Sequence, residues 1–410
     1  MAPATEHGAV EAMSDVRQVG RSLIGLFRVL VQYLGSAFRC FLAGRGGEGV
    51  EYLRFALQAL HDDLVLIAAQ RDHGSPLPPQ DRVAKILIIK LDRIGDMVNT
   101  TPVFEALRER YPNARLDIVG HPGALSLLED DPRLDRRFQY RSVLYHAGVL
   151  RPPGLKAWRL IHRLRSDRYS LVIYLRGSFP FLLLAGRSRF VAAKFRPSEP
   201  VIRRYLKPLG ITDGSSEPLP LPSLHVSAAS HDQVLAKYPT WGLGPSVVIH
   251  AVSAAAGKQW PLERFARVAD EIALRGQTRV LFVATPSEAD KLVKLKSMCK
   301  ESHYFETGFR LPEVASAIAH ADVFIGNDSG LAHIAAAVQT RQVVIWGGAN
   351  LNMARPVAKP GYCTVLYREI GCRDGCPEIR CVGPQKLKCL LDIHEADVLA
   401  AALAQLRSAR

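Results

Sequence analysis

From Val83 onward the apolar positions gather into short β-rich runs separated by stretches with a helical period. KILIIK (85–90), RLDIVG (115–120) and SLVIYL (170–175) read as buried strands, with helices at about 97–110 and 155–166. That alternation predicts an α/β unit built on a parallel sheet. A Pro-, Ser- and Gly-rich segment, Gly210 to Pro245, separates it from a second series: SVVIH (246–250), RVLFVA (279–284), DVFIG (322–326) and QVVIW (342–346). Pro261 is placed to start one intervening helix and Gly276 to follow its end. The expected architecture is two doubly wound domains, 81–225 and 226–410, facing a cleft. Chemistry is then sought just beyond the carboxyl ends of the strands.

Ahead of these domains lies a helical extension, residues 1–80. Within 17–44, Arg17, Arg21, Arg28, Gln32 and Arg39 form a narrow polar stripe on an otherwise apolar helix. Arg28 and Arg39 interrupt any run of about 18 apolar residues, so an interfacial helix fits better than a spanning one. The same pattern also suits packing on its own domain or on a second copy. Val50 to Ala69 is a second amphipathic stretch, and Gln70 to Asp81, containing Pro76, Pro78 and Pro79, reads as a linker. No secretory signal is read at the N-terminus, and seven cysteines in 410 residues do not make a disulfide scaffold. The expected location is the cytoplasm, peripheral at the inner face of the cytoplasmic membrane.

A length of 410 residues suits two to three domains at roughly 150 residues each, and 48% hydrophobic content excludes general disorder. The net charge of +14 is concentrated: Arg151 to Lys207 holds fourteen Lys or Arg against Asp167 and Glu199. So lopsided a stretch is either a solvated face or a site for an anionic partner. No finger, helix-turn-helix or interleaved aromatic pattern favours nucleic acid, and a phosphorylated or carboxylated glycolipid fits the charge equally well.

Three segments beyond strand ends carry candidate chemistry. Lys90 to Pro102, KLDRIGDMVNTTP, offers Gly95 for a tight turn and Asp96 at a helix start. By position Asp96 could be a cap, and Asp92 is an equally placed competitor. Ala251 to Pro261, AVSAAAGKQWP, joins small residues to Ser253 and to Lys258 just before a helix, which suits a phosphate or an ordinary surface loop. The spacing is not that of a Walker loop. Asn327 to His333, NDSGLAH, opens a helix at 330–338 that Asp328 or Ser329 can cap, with His333 one turn along. Two phosphate-suited helix starts in one domain favour a diphosphate ligand.

The order and spacing of these blocks, the IGD turn with TTP, the KxWP loop and the DSGxxH block, resemble glycosyltransferase family 9, the bacterial heptosyltransferases of the lipopolysaccharide core. The resemblance covers about 83–400. It implies a GT-B fold, with the acceptor in the N-terminal Rossmann-like domain and the nucleotide sugar in the C-terminal one. It implies Asp96 as general base in an inverting transfer. It further implies Ser253, Lys258, Ser329 and Gly330 on the departing diphosphate, Asp328 and His333 on the nucleotide side, and Glu288 toward the ribose. Acceptor contacts would come from Arg93, Thr101 and Arg176. The implied donor is ADP-heptose and the implied acceptor an anionic lipopolysaccharide-core or related lipid-linked glycan, at the membrane surface. No cofactor, metal or nucleic-acid partner is expected, and the chain has no DxD triplet.

Where many relatives carry an acid before the acceptor-domain Gly, this chain has Ile173, Tyr174, Leu175, Arg176 and Gly177. The alternatives are a family 9-like transferase with another nucleotide sugar and acceptor, or a non-catalytic nucleotide-binding protein. For a dinucleotide-binding protein no GxGxxG lies between strand and helix, because GRGGEG (44–49) follows a helix instead. Cys372, Cys376, Cys381 and Cys389 have gaps of three, four and seven residues, unlike a zinc ribbon or finger.

Overall fold

The computed structural model describes residues 38, 42, 77–141, 155–176, 179–184, 189–193, 199–210, 218–253, 255–347, 351–371, 381 and 386–409. The amphipathic stretches within 17–44 and 50–69 lie outside these, apart from Phe38 and Leu42, which are helical and exposed. Of the expected linker only Leu77 onward is described, with a 3-10 turn over Gln80–Arg82. No helix among the described residues is long and apolar enough to cross a membrane.

The strands are β1 (Lys85–Lys90), β2 (Arg115–Gly120), β3 (Arg136–Gln139), β4 (Leu171–Arg176), β5 (Arg189–Ala192) and β6 (Ser246–His250). They continue with β7 (Arg279–Val283), β8 (Tyr304–Glu306), β9 (Val323–Asn327), β10 (Arg341–Ile345) and β11 (Cys363–Leu366). The helices are α1 (Ile94–Val98), α2 (Thr101–Arg110), α3 (Leu155–Ser166), α4 (Ala228–Lys237) and α5 (Leu262–Gly276). After them come α6 (Ala289–Lys296), α7 (Leu311–Ala319), α8 (Gly330–Ala337) and α9 (Glu395–Ser408), besides further short helical segments.

Two sheets result, ordered β3-β2-β1-β4-β5 and β11-β10-β9-β6-β7-β8. In the first, β1 pairs in parallel with β2 and β4, and β4 with β5. In the second every neighbouring pair is parallel. Counted from its own first strand, each sheet has the doubly wound order 3-2-1-4-5, extended by a sixth strand in the second. The fold is therefore α/β of the GT-B type, with two Rossmann-like sheets. The order reverses between β1 and β4 in one sheet and between β6 and β9 in the other, the places where such sheets take ligands.

Seven strands follow the apolar runs of the sequence to within a residue at either end. The four strands that the runs do not announce, β3, β5, β8 and β11, are the four sheet edges. An edge strand is covered less completely than an inner one, so Arg136, Arg189 and Tyr304 sit among three- or four-residue runs without a continuous apolar signal.

Packing divides the chain into two units. The first holds most of the β1 sheet with α3. Ile161 and Leu164 of α3 are buried there with Leu87, Ile89, Val172 and Phe190. The second comprises Arg93–Pro112, His121–Arg137 and Phe195–Arg410, and so contains the β6 sheet together with α1 and α2. Side chains account for part of this grouping. The amide of Ser223 donates to Thr101 Oγ1 at 3.0 Å, Arg133 reaches both Glu105 and Ser223 Oγ at 2.7 Å, and Arg310 pairs with Glu129 at 3.1 Å.

Three local expectations are corrected. The helix expected at about 97–110 is two helices, because Pro102 has no N–H to offer the Val98 carbonyl. The Thr101 hydroxyl donates to that carbonyl instead, at 2.8 Å. Inside the expected separator, Ser227 caps α4 by accepting from the Ser230 amide, and the buried Trp241 indole donates to the Ala317 carbonyl at 2.9 Å. Pro261 is the N-cap position of α5 rather than its first residue, and Gly276 is its last residue. The left-handed turn that ends it falls on Gln277 at φ 48°.

Candidate active site

Beyond β6 and β9, two segments emerge side by side, since His250 is in register with Gly326. Asn327, the last residue of β9, fastens the first segment. Its Nδ2 donates to the Ala251 carbonyl at 3.2 Å, and its Oδ1 accepts the Trp260 amide at 3.0 Å. Gln259 braces the same loop from within: Nε2 donates to the carbonyls of Ala251 (2.6 Å) and Trp260 (2.8 Å), and Oε1 accepts the Ser253 amide at 2.7 Å. The Trp260 indole is buried and donates to the Ile393 carbonyl at 3.0 Å. A loop of small residues, flexible by composition, is thus held at both ends. It presents Lys258 to Asp328 in a largely buried ion pair of 2.7 Å.

At the start of α8, Ser329 occupies the N-cap position with extended backbone, but its side chain makes no capping hydrogen bond. Its Oγ lies instead 3.3 Å from His250 Nδ1. The expected capping by Asp328 or Ser329 is therefore not adopted: Asp328 is taken by Lys258, and Ser329 by His250. The first amides of α8 keep their partial positive charge without a side-chain acceptor.

One turn on, His333 is buried, and its Nδ1 has no hydrogen-bond partner among the described residues. Its ring packs on α1: a Cβ placed on Gly95 would come within 2.6 Å of His333 Cδ2. Reciprocally, a Cβ on Gly330 would meet Ile94 at 3.0 Å. Glycine at both positions lets the two helices approach closely, and that approach brings Asp96 near His333. Burial pushes the His333 imidazole below its ordinary range and Lys258 adds to the effect, against the fields of Asp328 and Asp96. The ring is neutral at pH 7. Burial likewise pushes His250 down to about 4, opposed by the charge of Glu288.

Asp96, third residue of α1, is half-buried. Arg93 is the N-cap position of that helix and is exposed, and no side chain caps the helix. The capping alternative for Asp96 is therefore not taken up. Asp92, its competitor, is held by the buried Lys90 at 2.7 Å.

Comparison with known proteins covers the second sheet's part of these residues by family model, and α1 lies ahead of that match. Residues 182–373 match the sequence model of glycosyltransferase family 9 (heptosyltransferase). Lipopolysaccharide heptosyltransferase 3 of Escherichia coli (strain K12) is 26% identical over 295 residues, covering 64% of this chain and 82% of that protein. The chain is therefore similar to glycosyltransferase family 9 over that segment and to its heptosyltransferases over most of its length. Solved structures support its fold. The family 9 glycosyltransferase of Veillonella parvula DSM 2008 superimposes with a TM-score of 0.68 at 19% identity, covering 82% of this chain and all of that one. The ADP-heptose lipopolysaccharide heptosyltransferase II of E. coli gives 0.63 at 20% identity, covering 79% and 99%.

The remaining expected residues divide by what they already hold. Ser253 Oγ is 3.2 Å from both the amide and the carbonyl of Ala255, and its own carbonyl accepts from Lys291 Nζ at 3.1 Å. Glu288 closes a capping box, accepting from the Thr285 amide (3.1 Å) and hydroxyl (2.7 Å). Thr101 departs from the acceptor role expected of it. It is fully buried, and its hydroxyl is used twice within the protein, donating to Val98 and accepting from Ser223. Arg176 ends β4 in the other unit, and its carbonyl accepts the Leu91 amide at 2.8 Å.

His250, Gln259, Asn327 and Lys291 were not singled out from the sequence. A polar residue ending an otherwise buried apolar run, as Asn327 and His250 do, was the signal available. Among the cysteines, Cys372 and Cys376 lie outside the described residues, Cys381 Sγ accepts the Leu387 amide, and Cys389 is buried in the core. Among the described residues, Asp270, Cys299 and His303 form a trio of metal-ligand type. Its carboxylate is occupied by the amides of Lys300 and Glu301 and by His303, and burial pushes the Cys299 thiol up to about 12.

Proposed function

We propose that this protein moves a heptosyl group from ADP-heptose to a hydroxyl of an anionic, lipid-linked glycan of the lipopolysaccharide core type. The transfer is a single inverting displacement. The acceptor oxygen attacks the anomeric carbon as the bond from that carbon to the diphosphate breaks. Asp96 takes the hydroxyl proton, and ADP departs. Lys258, the uncapped amides at Ser329 and Gly330, and Ser253 are the groups assigned to the charge growing on the diphosphate. Asp328 orients Lys258 while the site is empty, His333 stands as a neutral partner on the nucleotide side, and Glu288 faces the ribose. Arg93 and Arg176 are assigned to the acceptor. No metal is assigned a part, and the enzyme is placed at the cytoplasmic face of the membrane.

The observation that carries this reading is the packing of Gly95 on His333. It sets the one carboxylate of α1 in the electrostatic neighbourhood of a histidine that also senses Lys258 and Asp328. The names of the relatives support the donor: the E. coli structure cited above is that of an ADP-heptose lipopolysaccharide heptosyltransferase. Asp96→Asn keeps the shape of the side chain and removes its basicity. Transfer is expected to fall by about 10²- to 10⁴-fold while ADP-heptose binding, measured by calorimetry, stays within a few-fold. Undiminished turnover in that variant would overturn the base assignment.

A further inference from the structure

Helix α3, LKAWRLIHRLRS, divides cleanly into two faces. Ala157, Ile161 and Leu164 are buried, whereas Leu155, Lys156, Trp158, Arg159, His162 and Arg163 are exposed. Leu155 is 66% exposed and Trp158 49%, both large apolar side chains on the outer face of an otherwise basic helix. The 3-10 segment Phe179–Leu184 packs on α3 and adds Leu183, 43% exposed. Lys156 and Arg159 enter no ion pair among the described residues. Because α3 leads into the amino end of β4, its first turn, with Leu155 and Trp158, lies toward the carboxyl ends of the strands. That is the end at which such sheets meet their ligands.

Apolar anchors at the level of Trp, flanked by Lys and Arg and presented together, match a surface that is apolar beneath and anionic above. Nucleic acid would use the cations but gives Leu155 and Leu183 nothing to bury. We propose that the outer face of α3, with Leu155 and Trp158 as inserted side chains and Lys156 and Arg159 on the headgroups, docks this protein onto an anionic lipid bilayer. This deepens the lipid-linked acceptor reading and rests on it, since a docked α3 holds the strand ends of its unit at the bilayer where such an acceptor resides.

The chain provides its own reporter. It has four tryptophans, and Trp241, Trp260 and Trp346 are buried, which leaves Trp158 as the exposed one. The full-length protein is mixed with vesicles of phosphatidylcholine, with and without phosphatidylglycerol, and followed by tryptophan emission and co-sedimentation. With phosphatidylglycerol present, the emission is expected to shift to the blue and to be quenched by brominated lipid. Trp158→Phe is expected to lose that optical change while still sedimenting. The double variant Leu155→Glu, Trp158→Glu, and separately Arg159→Glu, are expected to weaken sedimentation about tenfold or more, with unchanged melting temperature. Co-sedimentation of the double variant at the wild-type level would overturn the proposal. So would continued quenching of Trp158 by acrylamide in the presence of vesicles, or binding to random duplex DNA but not to anionic vesicles. Transfer to a water-soluble, delipidated acceptor separates the two readings. If it proceeds although α3 does not dock, the surface assignment falls alone. If ADP-heptose is never turned over, the functional reading falls, whatever the vesicles show.

Discussion

His250 and His333 are buried imidazoles beside charged groups, and both are held neutral chiefly by desolvation. In the unfolded chain each titrates near 6.5. As the pH falls below that value the unfolded chain takes up protons that the folded protein refuses, so folded-state stability declines. The contribution is fully present above about pH 6.5 and, for His250, is lost on the way down to about 4. The loss for His250 is at most about 3 kcal/mol at the acid end. Urea unfolding at pH 7.0 and pH 4.5 is expected to show a steep loss in the wild type and a smaller one in His250→Gln, which carries no titrating ring. Equal slopes for the two proteins would mean that His250 is not buried neutral.

At the scale of elements, the junction of α1 and α8 is made by absence of side chain. Adding a methyl to Gly95 improves helix propensity by about 0.5–1 kcal/mol, but overpacking a well-filled contact costs about 1–3 kcal/mol. With His333 Cδ2 only 2.6 Å from the new Cβ, the second effect wins. Gly95→Ala is expected to lose about 1 kcal/mol of stability and, by displacing His333 relative to Asp96, to reduce transfer more than tenfold. A raised melting temperature with full activity would show that α1 does not bear on α8. This junction was only half legible in the sequence. The IGD and DSGxxH blocks could be seen as chemistry-bearing, but which glycine faces which side chain is settled by helix packing, a property no local pattern carries. The inner strands were legible because burial on both faces demands uninterrupted apolar runs, whereas the edge strands β3, β5, β8 and β11 face no such demand. Asn327 and Gln259 stayed hidden because an amide that braces a loop looks, in sequence, like any polar residue. Thr101 misled for the opposite reason: its hydroxyl answers the missing amide of Pro102, a need internal to the chain.

At the scale of the whole molecule, the groups assigned to the diphosphate and Asp96 fall in one packing unit, while most of the first sheet and α3 belong to the other. A chain so divided need not melt as one cooperative body. A ligand stabilises whatever must be folded to hold it, by about 2.7 kcal/mol at a concentration one hundred times its dissociation constant. Scanning calorimetry with saturating ADP is therefore expected to raise the transition belonging to the β6 unit and to leave that of the β1 unit in place. Lys258→Ala, compared with its own ligand-free scan, is expected to lose most of the shift, because the side chain facing Asp328 at 2.7 Å is the cation assigned to the diphosphate. Asp96→Asn is expected to keep the shift, since its carboxylate is assigned to the acceptor and not to the nucleotide. If ADP instead raises both transitions equally, nucleotide binding draws on residues of both units. If Lys258→Ala keeps the full shift, Lys258 belongs to the protein's internal pairing alone and the diphosphate is held elsewhere.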